Sequence, residues 1–257
     1  MIAAFFATTV YNPLYNGLIY FVDIVPWNDV GIAVIALTIV VRIVIYPLAR
    51  RAIITQMRMK EVAPEIEEIK KKHPKNSPEQ SQAVLALYRE KGIHPFSTLF
   101  ITLIQLPILI CLYLIFANGG LPKVNPDILY SFVPIPSFVN MNFLGFINMG
   151  ASHNIVLALL TAITQYVYTR LSMGPRGQQT ATEATLSSDM ARSFDVQARY
   201  VFPLLIGVIA YSVAAAAPLY YITSNLFMIA QEYMTGRRFG SAQLPQKAGR
   251  WDWLRGL

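Results

Sequence analysis

Charge is scarce in this chain. Asp, Glu, Lys and Arg make up 14% of its 257 residues, against about 25% in an ordinary soluble domain. Cysteine is scarcer still: Cys111 stands alone, which excludes a disulfide within the chain and any CxxC zinc or redox site. It lies in an apolar run and reads as a small core residue rather than a nucleophile. Carboxylates are missing from the deep parts of the apolar runs, so an intramembrane aspartyl chemistry has no candidate acid; Glu232 sits only at the inner end of the last run. His73, His94 and His153 are dispersed, and no metal site is expected. GxSxG, HExxH and Walker patterns are all absent. These absences leave an enzyme little to work with. What the chain does have is hydrophobic side chains, 54% of the total, at a mean hydropathy of +0.44. They are gathered in long runs, which argues against a soluble enzyme and against a disordered chain.

Four runs approach the roughly 20 apolar residues that cross a bilayer: 30–48, 96–116, 155–171 and 201–217. A fifth, 219–233, is shorter and more polar. The residues 214–217 and Pro218 leave room only for a tight turn between the last two. The basic residues supply the orientation. Residues 1–41 contain no Lys or Arg, 49–95 contain ten, 117–153 only Lys123, 170–199 four, and the tail after 236 five. Alternate links thus carry 19 basic residues and the opposite links 1. The rich side is cytoplasmic by the positive-inside rule. The N-terminus is then outside and the C-terminus inside. That needs an odd number of crossings, and five satisfies it.

The reading is an all-α polytopic membrane protein. Crossings are expected over 30–51, 94–117, 153–172, 199–217 and 218–236, with an extracytoplasmic link at 118–152, a cytoplasmic loop at 173–198 and a basic tail at 237–257. Residues 1–29 lack the basic start of a signal peptide and the Arg-rich character of a mitochondrial presequence. Leu14, Leu18, Phe21, Val22 and Val25 share a helical face there, and an amphipathic helix in the outer interface is expected rather than a sixth crossing. The segment 52–93 reads as a cytoplasmic two-helix hairpin. Met59, Val62, Ile66 and Ile69 form one seam, Val84, Leu87, Tyr88 and Lys91 the other, and Ser77-Pro78 starts the second helix. The alternative for this segment is a solvated spacer.

Arg42 most needs explaining. It lies eight residues before Arg50, about 12 Å into a core about 30 Å thick. A charge there costs about 2.5–3.5 kcal/mol on insertion scales. No carboxylate in the crossings lies at that depth, so water and neutral polar groups must solvate it, unless it snorkels to the inner surface. Polar stripes on the other runs offer such groups. Thr38 is one turn from Arg42. Thr98, Thr102 and Gln105 form a stripe on the second run, Thr161, Thr164, Gln165 and Tyr168 on the third, and Tyr221, Ser224 and Asn225 on the fifth. One stripe alone would be ordinary interhelical hydrogen bonding. Four stripes and an unpaired Arg point to a shared polar cavity, open inward and closed outward.

Several stretches then match a known family. Thr38-Ile39-Val40-Val41-Arg42 with Tyr46-Pro47-Leu48, Leu87 to Pro95 running into Leu103-Ile104-Gln105-Leu106-Pro107-Ile108, Phe143-Leu144-Gly145, and Pro218-Leu219-Tyr220-Tyr221 with Ser224-Asn225-Leu226-Phe227 and Gln231 together resemble the YidC/Oxa/Alb membrane protein insertases over nearly the whole chain. His94 stands where that family usually has Asn, and Tyr221 where it usually has Trp. The large extracytoplasmic domain of some bacterial members has no counterpart here. The resemblance implies a minimal bacterial form in the cytoplasmic membrane, not an enzyme, with no cofactor. A client's polar flank would enter a hydrophilic groove at Arg42 while its apolar segment passes into lipid. Implied partners are nascent membrane-protein clients and the lipid bilayer, with the ribosome, a targeting receptor and the Sec translocon as further ones, and no DNA. Arg237, Arg238, Lys247, Arg250 and Arg255 are the candidate ribosome contacts. The rival reading is a small-anion transporter or channel with Arg42 as its binding charge, which would need access from both sides.

Overall fold

The structure is a computed structural model that describes residues 5–73, 78–93, 96–117, 121–173, 193 and 195–236. The described chain is mostly helical. A π-turn, Ala7–Tyr11, leads into α1 (Asn12–Ile24). Next come α2 (Val30–Glu61), α3 (Ala63–Lys72), α4 (Pro78–Glu90) and α5 (Phe96–Ala117). A short antiparallel ribbon follows, β1 (Asn142–Phe143) with β2 (Ile147–Asn148). The chain ends in α6 (Ile155–Met173), α7 (Phe202–Ser212), entered through a π-turn Gln197–Val201, and α8 (Ala216–Met234).

Two of these helices, α2 and α6, are long and apolar enough to cross a membrane. A core helix of a soluble protein would be mostly buried, but only 28% and 22% of their most apolar windows are. The exposed faces carry Ile43 and Val44 on α2, Ile155, Leu159 and Ile163 on α6, and Leu204 and Val208 on α7. Apolar faces of this extent have no stable place in water. The inward faces are made of small residues where helices approach closely. A Cβ on Gly207 would lie 2.9 Å from Ala162 Cβ, so the α6–α7 contact depends on that glycine.

With 32 residues, α2 is about 48 Å long, longer than the hydrocarbon core. It begins on a strong cap: Asp29 Oδ1 accepts from Gly31 N at 2.7 Å and Ile32 N at 3.1 Å. It continues through Pro47 and breaks only at Val62, where Pro64 stands in the first turn of α3. The segment expected as a separate hairpin from 52 thus starts as an extension of α2. Beyond the break, α3 and α4 bury Val62, Leu87 and Ile93 together, with Met59, Ile66, Ile69 and Tyr88 around them. Lys91 Nζ donates to Glu65 at 2.9 Å across the pair, and that bond raises the Lys91 pKa. Ser77, expected to cap α4, lies outside the described residues.

The main core sits at one end of the bundle. Leu14, Leu18, Ile19 and Val22 of α1 pack with Val30, Val34 and Leu37 of α2, Ile108, Leu112 and Ile115 of α5, Leu157 of α6, and Ala216 and Leu219 of α8. The turn between α7 and α8 is pinned there by Ala215 N to Ala151 O, 2.9 Å, and Ala216 N to Met149 O, 3.1 Å. The β-ribbon closes the same end. Asp29 Oδ2 accepts from Leu144 N at 2.8 Å, and Asn140 bridges Asn28 and Val30 through its backbone. Phe143 lies directly on Gly31, where a Cβ would come within 2.3 Å of its ring.

That contact makes a prediction. Gly31→Ala should lower the thermal unfolding midpoint in detergent, by an overpacking cost of about 1–3 kcal/mol. Combined with Phe143→Ala, the loss should be smaller than the sum of the two single losses, with a coupling of about 0.5–3 kcal/mol. Strict additivity would mean that Phe143 does not rest on Gly31.

Candidate functional site: a buried arginine among neutral acceptors

Arg42 lies in the first half of α2, five residues past the buried Leu37. It is 5% exposed. Its guanidinium turns toward α8 and α5. Nε donates to Ser224 Oγ at 2.8 Å, Nη2 also donates to Ser224 Oγ, and Nη2 donates to Gln105 Oε1 at 2.6 Å. Gln105 Nε2 in turn donates to the hydroxyl of Tyr220. Tyr220 thereby fixes the amide so that its oxygen faces the arginine. Among the described residues, no carboxylate lies within salt-bridge distance of Arg42. The positive charge is held by neutral dipoles in a poorly polarisable surround, where its field is weakly screened.

The other predicted groove residues are placed differently from one another. Ser224 and Gln105 touch Arg42. Asn225 is fully buried and donates from Nδ2 to Thr164 Oγ1 at 3.3 Å, while its Oδ1 has no hydrogen-bond partner among the described residues. A buried acceptor without a donor costs about 1–3 kcal/mol. Thr38 and Thr161 are buried, but their hydroxyls donate back to Val34 O, 2.6 Å, and Leu157 O, 2.7 Å. Thr164 also bonds its own helix, to Leu160 O at 2.8 Å, and Gln165 bonds Thr169 at 3.3 Å. Tyr168 is half-buried on α6. Tyr221 is half-buried with its ring edge-on to Tyr220, and makes no hydrogen bond among the described residues. The side chains of Thr98 and Thr102 lie outside the described residues, as do Arg237, Arg238, Lys247, Arg250 and Arg255.

The sequence reading missed Tyr220, which supports the arginine's acceptor. It also missed Gln231, 2% exposed, whose Nε2 donates to Tyr46 O at 3.3 Å beside Pro47. The carbonyl that Pro47 leaves without its helical donor is that of Ile43, one turn back, so the proline does not signal the Gln231 contact.

The buried positions change character along the bundle. On the Val30 side of Arg42, Val34 and Leu37 of α2, Ile108 to Ile115 of α5, Leu157 of α6 and Leu219 of α8 close an apolar layer. On the other side, α8 buries Gln231 and Glu232, while α2 buries Ala52, Ile53 and Met57. The arginine therefore sits between an apolar layer and a mixed one.

The 60Kd inner membrane protein family matches residues 21–242. This chain belongs to that family. Among its relatives is a membrane protein insertase YidC of Clostridium tetani, 32% identical over 211 residues, which cover 82% of this chain and 83% of the relative. Another is the membrane protein insertase MisCA of Bacillus subtilis, 26% identical over 239 residues, 91% of this chain and 81% of the relative. A YidC of Thermotoga maritima is 28% identical over 240 residues, but those make up only 45% of its length. Members can thus be more than twice as long as the region they share with this chain, which here covers 89% of it.

The hydrogen bonds separate two adjacent tyrosines. Tyr220→Phe removes the acceptor that orients Gln105 and should cost about 0.5–1.5 kcal/mol. Tyr221→Phe should stay within about 0.5 kcal/mol of the parent. Thermal unfolding of both variants in the same detergent checks the difference, and equal losses would contradict the Tyr220–Gln105–Arg42 relay.

Proposed function

We propose that this protein inserts other proteins into the cytoplasmic membrane, with Arg42 as the group that receives a client's polar flank. The observation that carries the reading is that Arg42 is buried and, among the described residues, donates only to the neutral oxygens of Ser224 and Gln105. A client carboxylate would form stronger, charge-assisted bonds than either. Exchange of a neutral acceptor for a carboxylate is therefore downhill once the flank has reached the site. Asn225 Oδ1 offers an acceptor close by for a peptide N–H. No covalent step is needed, because the client's apolar segment gains its own transfer free energy on entering lipid.

In this reading the chain crosses the membrane five times, through α2, α5, α6, α7 and α8, with α1 in the outer interface. The N-terminus is outside and the basic tail is in the cytoplasm. The apolar layer at the Val30 end then faces outward and seals the site. That layer supports insertion over small-anion transport, since a transporter must open on both sides. The hairpin of α3 and α4 stands on the cytoplasmic side, where a targeting receptor or the Sec translocon would meet it. The tail residues Arg237, Arg238, Lys247, Arg250 and Arg255 would meet ribosomal RNA through its phosphates.

Two experiments test the assignment. Arg42→Ala removes a charged hydrogen-bonding partner worth about 1.5–3 kcal/mol, so insertion of acidic-flanked clients in proteoliposomes should fall roughly 10–100-fold. Arg42→Lys should retain part of the activity, because it keeps the charge but not the fork that spans Ser224 and Gln105. Normal insertion of every client by Arg42→Ala would refute the role.

The second concerns access. In a Cys111→Ser background, single cysteines at Gln105 and Thr164 should react with an impermeant maleimide from the cytoplasmic side only. A cysteine at Ile110, on the lipid face, should react poorly from both sides, since a thiol in a dry environment forms little thiolate. Labelling at Gln105 from outside at a comparable rate would favour the transporter reading.

A further inference from the structure

The end of the bundle closed by the β-ribbon carries an apolar surface that the site does not use. Trp27 is 71% exposed, Phe132 72%, Phe146 75%, and Phe138 and Leu144 slightly more than half. Residues 128–152, which carry all of these side chains but Trp27, contain no Asp, Glu, Lys or Arg.

The backbone places two of these side chains against its own preference. Trp27 has φ 58° and Leu144 φ 52°, the left-handed region that bulky side chains avoid. Leu144 and Gly145, with φ 86°, are the central residues of the ribbon's turn, closed by Phe146 N to Phe143 O at 3.2 Å. Positive φ at both positions is the type I′ pattern, where Asn-Gly is the usual pair. Here a leucine occupies the asparagine position and points outward. Both strained residues hang from one clamp. Asp29 caps α2 and holds Leu144 N, while Asn140 N donates to Asn28 O at 3.1 Å beside Trp27. Strain of this kind persists only where the surroundings over-determine it. In water, these positions would combine a backbone cost with exposed apolar area.

We propose that Trp27, Leu144, Phe146 and their aromatic neighbours form a foot seated in the outer leaflet, at the boundary between phospholipid headgroups and acyl chains. Three features favour lipid as the occupant. Most of the surface comes from residues 128–152, which carry no charged side chain. It is rich in aromatic residues and carries a tryptophan, which favour the interface. It also lies at the end where α6 begins with the exposed Ile155 and Val156, so it continues the apolar faces that would meet the acyl chains. The foot would fix how deeply the sealed end sits, and with it the depth of Arg42. The proposal rests on the membrane-spanning reading above.

The test uses the full-length protein in proteoliposomes. The tryptophans are Trp27, Trp251 and Trp253, and Trp251→Phe with Trp253→Phe leaves Trp27 as the one emitter. Phospholipids brominated near the headgroup end of the acyl chain should remove most of its emission. Deep bromines should remove less, and iodide outside the vesicles should have little effect. A parallel chain with Trp27→Phe and Val44→Trp reports on the lipid face of α2. Quenching of Trp27 by iodide but not by shallow bromines would overturn the foot. So would quenching by neither, which would mean that a second copy or a partner protein covers it, and so would strongest quenching from deep bromines. If the Val44→Trp chain is not quenched by any bromolipid, the spanning reading itself fails; if it is quenched while Trp27 is not, only the foot does.

Discussion

A single guanidinium, buried on α2 without a carboxylate beside it, is the constraint on which the rest of the bundle depends. Arg42 cannot be left without acceptors inside an apolar assembly, since the cost of an unsatisfied buried charge is far larger than that of a neutral polar group. The fold brings Ser224 from α8 and Gln105 from α5 to it, and Tyr220 to Gln105. Three helices distant in sequence are thereby fixed in register at one level. Replacing these acceptors with a carboxylate would pair the charge in place and remove the reason for anything else to bind. The neutral acceptors hold the guanidinium without pairing its charge.

The apolar layer on the Val30 side gives that arrangement a direction. Polar side chains free along a whole bundle would make a path; on the Val30 side of Arg42 the buried Thr38 and Thr161 bond carbonyls of their own helices, and Leu37, Leu112, Ile115 and Leu219 fill the space around them. Asp29 is the corresponding fixed point at the sealed end. One carboxylate caps α2 and ties the β-ribbon across it, and Phe143 packs onto Gly31 beneath. The Val30 end is a hydrogen-bonded clamp over an apolar core, whereas the interior of α2 holds its arginine on neutral acceptors.

Much of the site was legible in the sequence because helical spacing is a local property. Arg42 stood out by depth, and the stripes on the second and fifth runs held Gln105 and Ser224. The hairpin seam was readable from Met59, Ile66 and Ile69 against Leu87 and Tyr88. Three features were not readable. Tyr220 and Tyr221 are neighbours about 100° apart on a helix, and only packing decides which hydroxyl reaches Gln105. Thr38 and Thr161 look like cavity lining by spacing, but in an apolar surround the nearest acceptor is a carbonyl one turn back on the same helix. The Asp29–Leu144 clamp joins residues 115 positions apart, and no local pattern signals it. The end of α2 at Val62 was marked, by Pro64, but an apolar seam running across the break hid it.

The central claim is that the charge of Arg42 selects the client by its flank, and a charge swap tests this most directly. Insertion of two clients that differ only in an acidic or a lysine flank is measured with the parent and with Arg42→Glu. The parent should favour the acidic flank, and Arg42→Glu should lose that preference and recover the lysine-flanked client. An unchanged ratio between the two clients would contradict the account, because the arginine would then be a structural charge that no client touches.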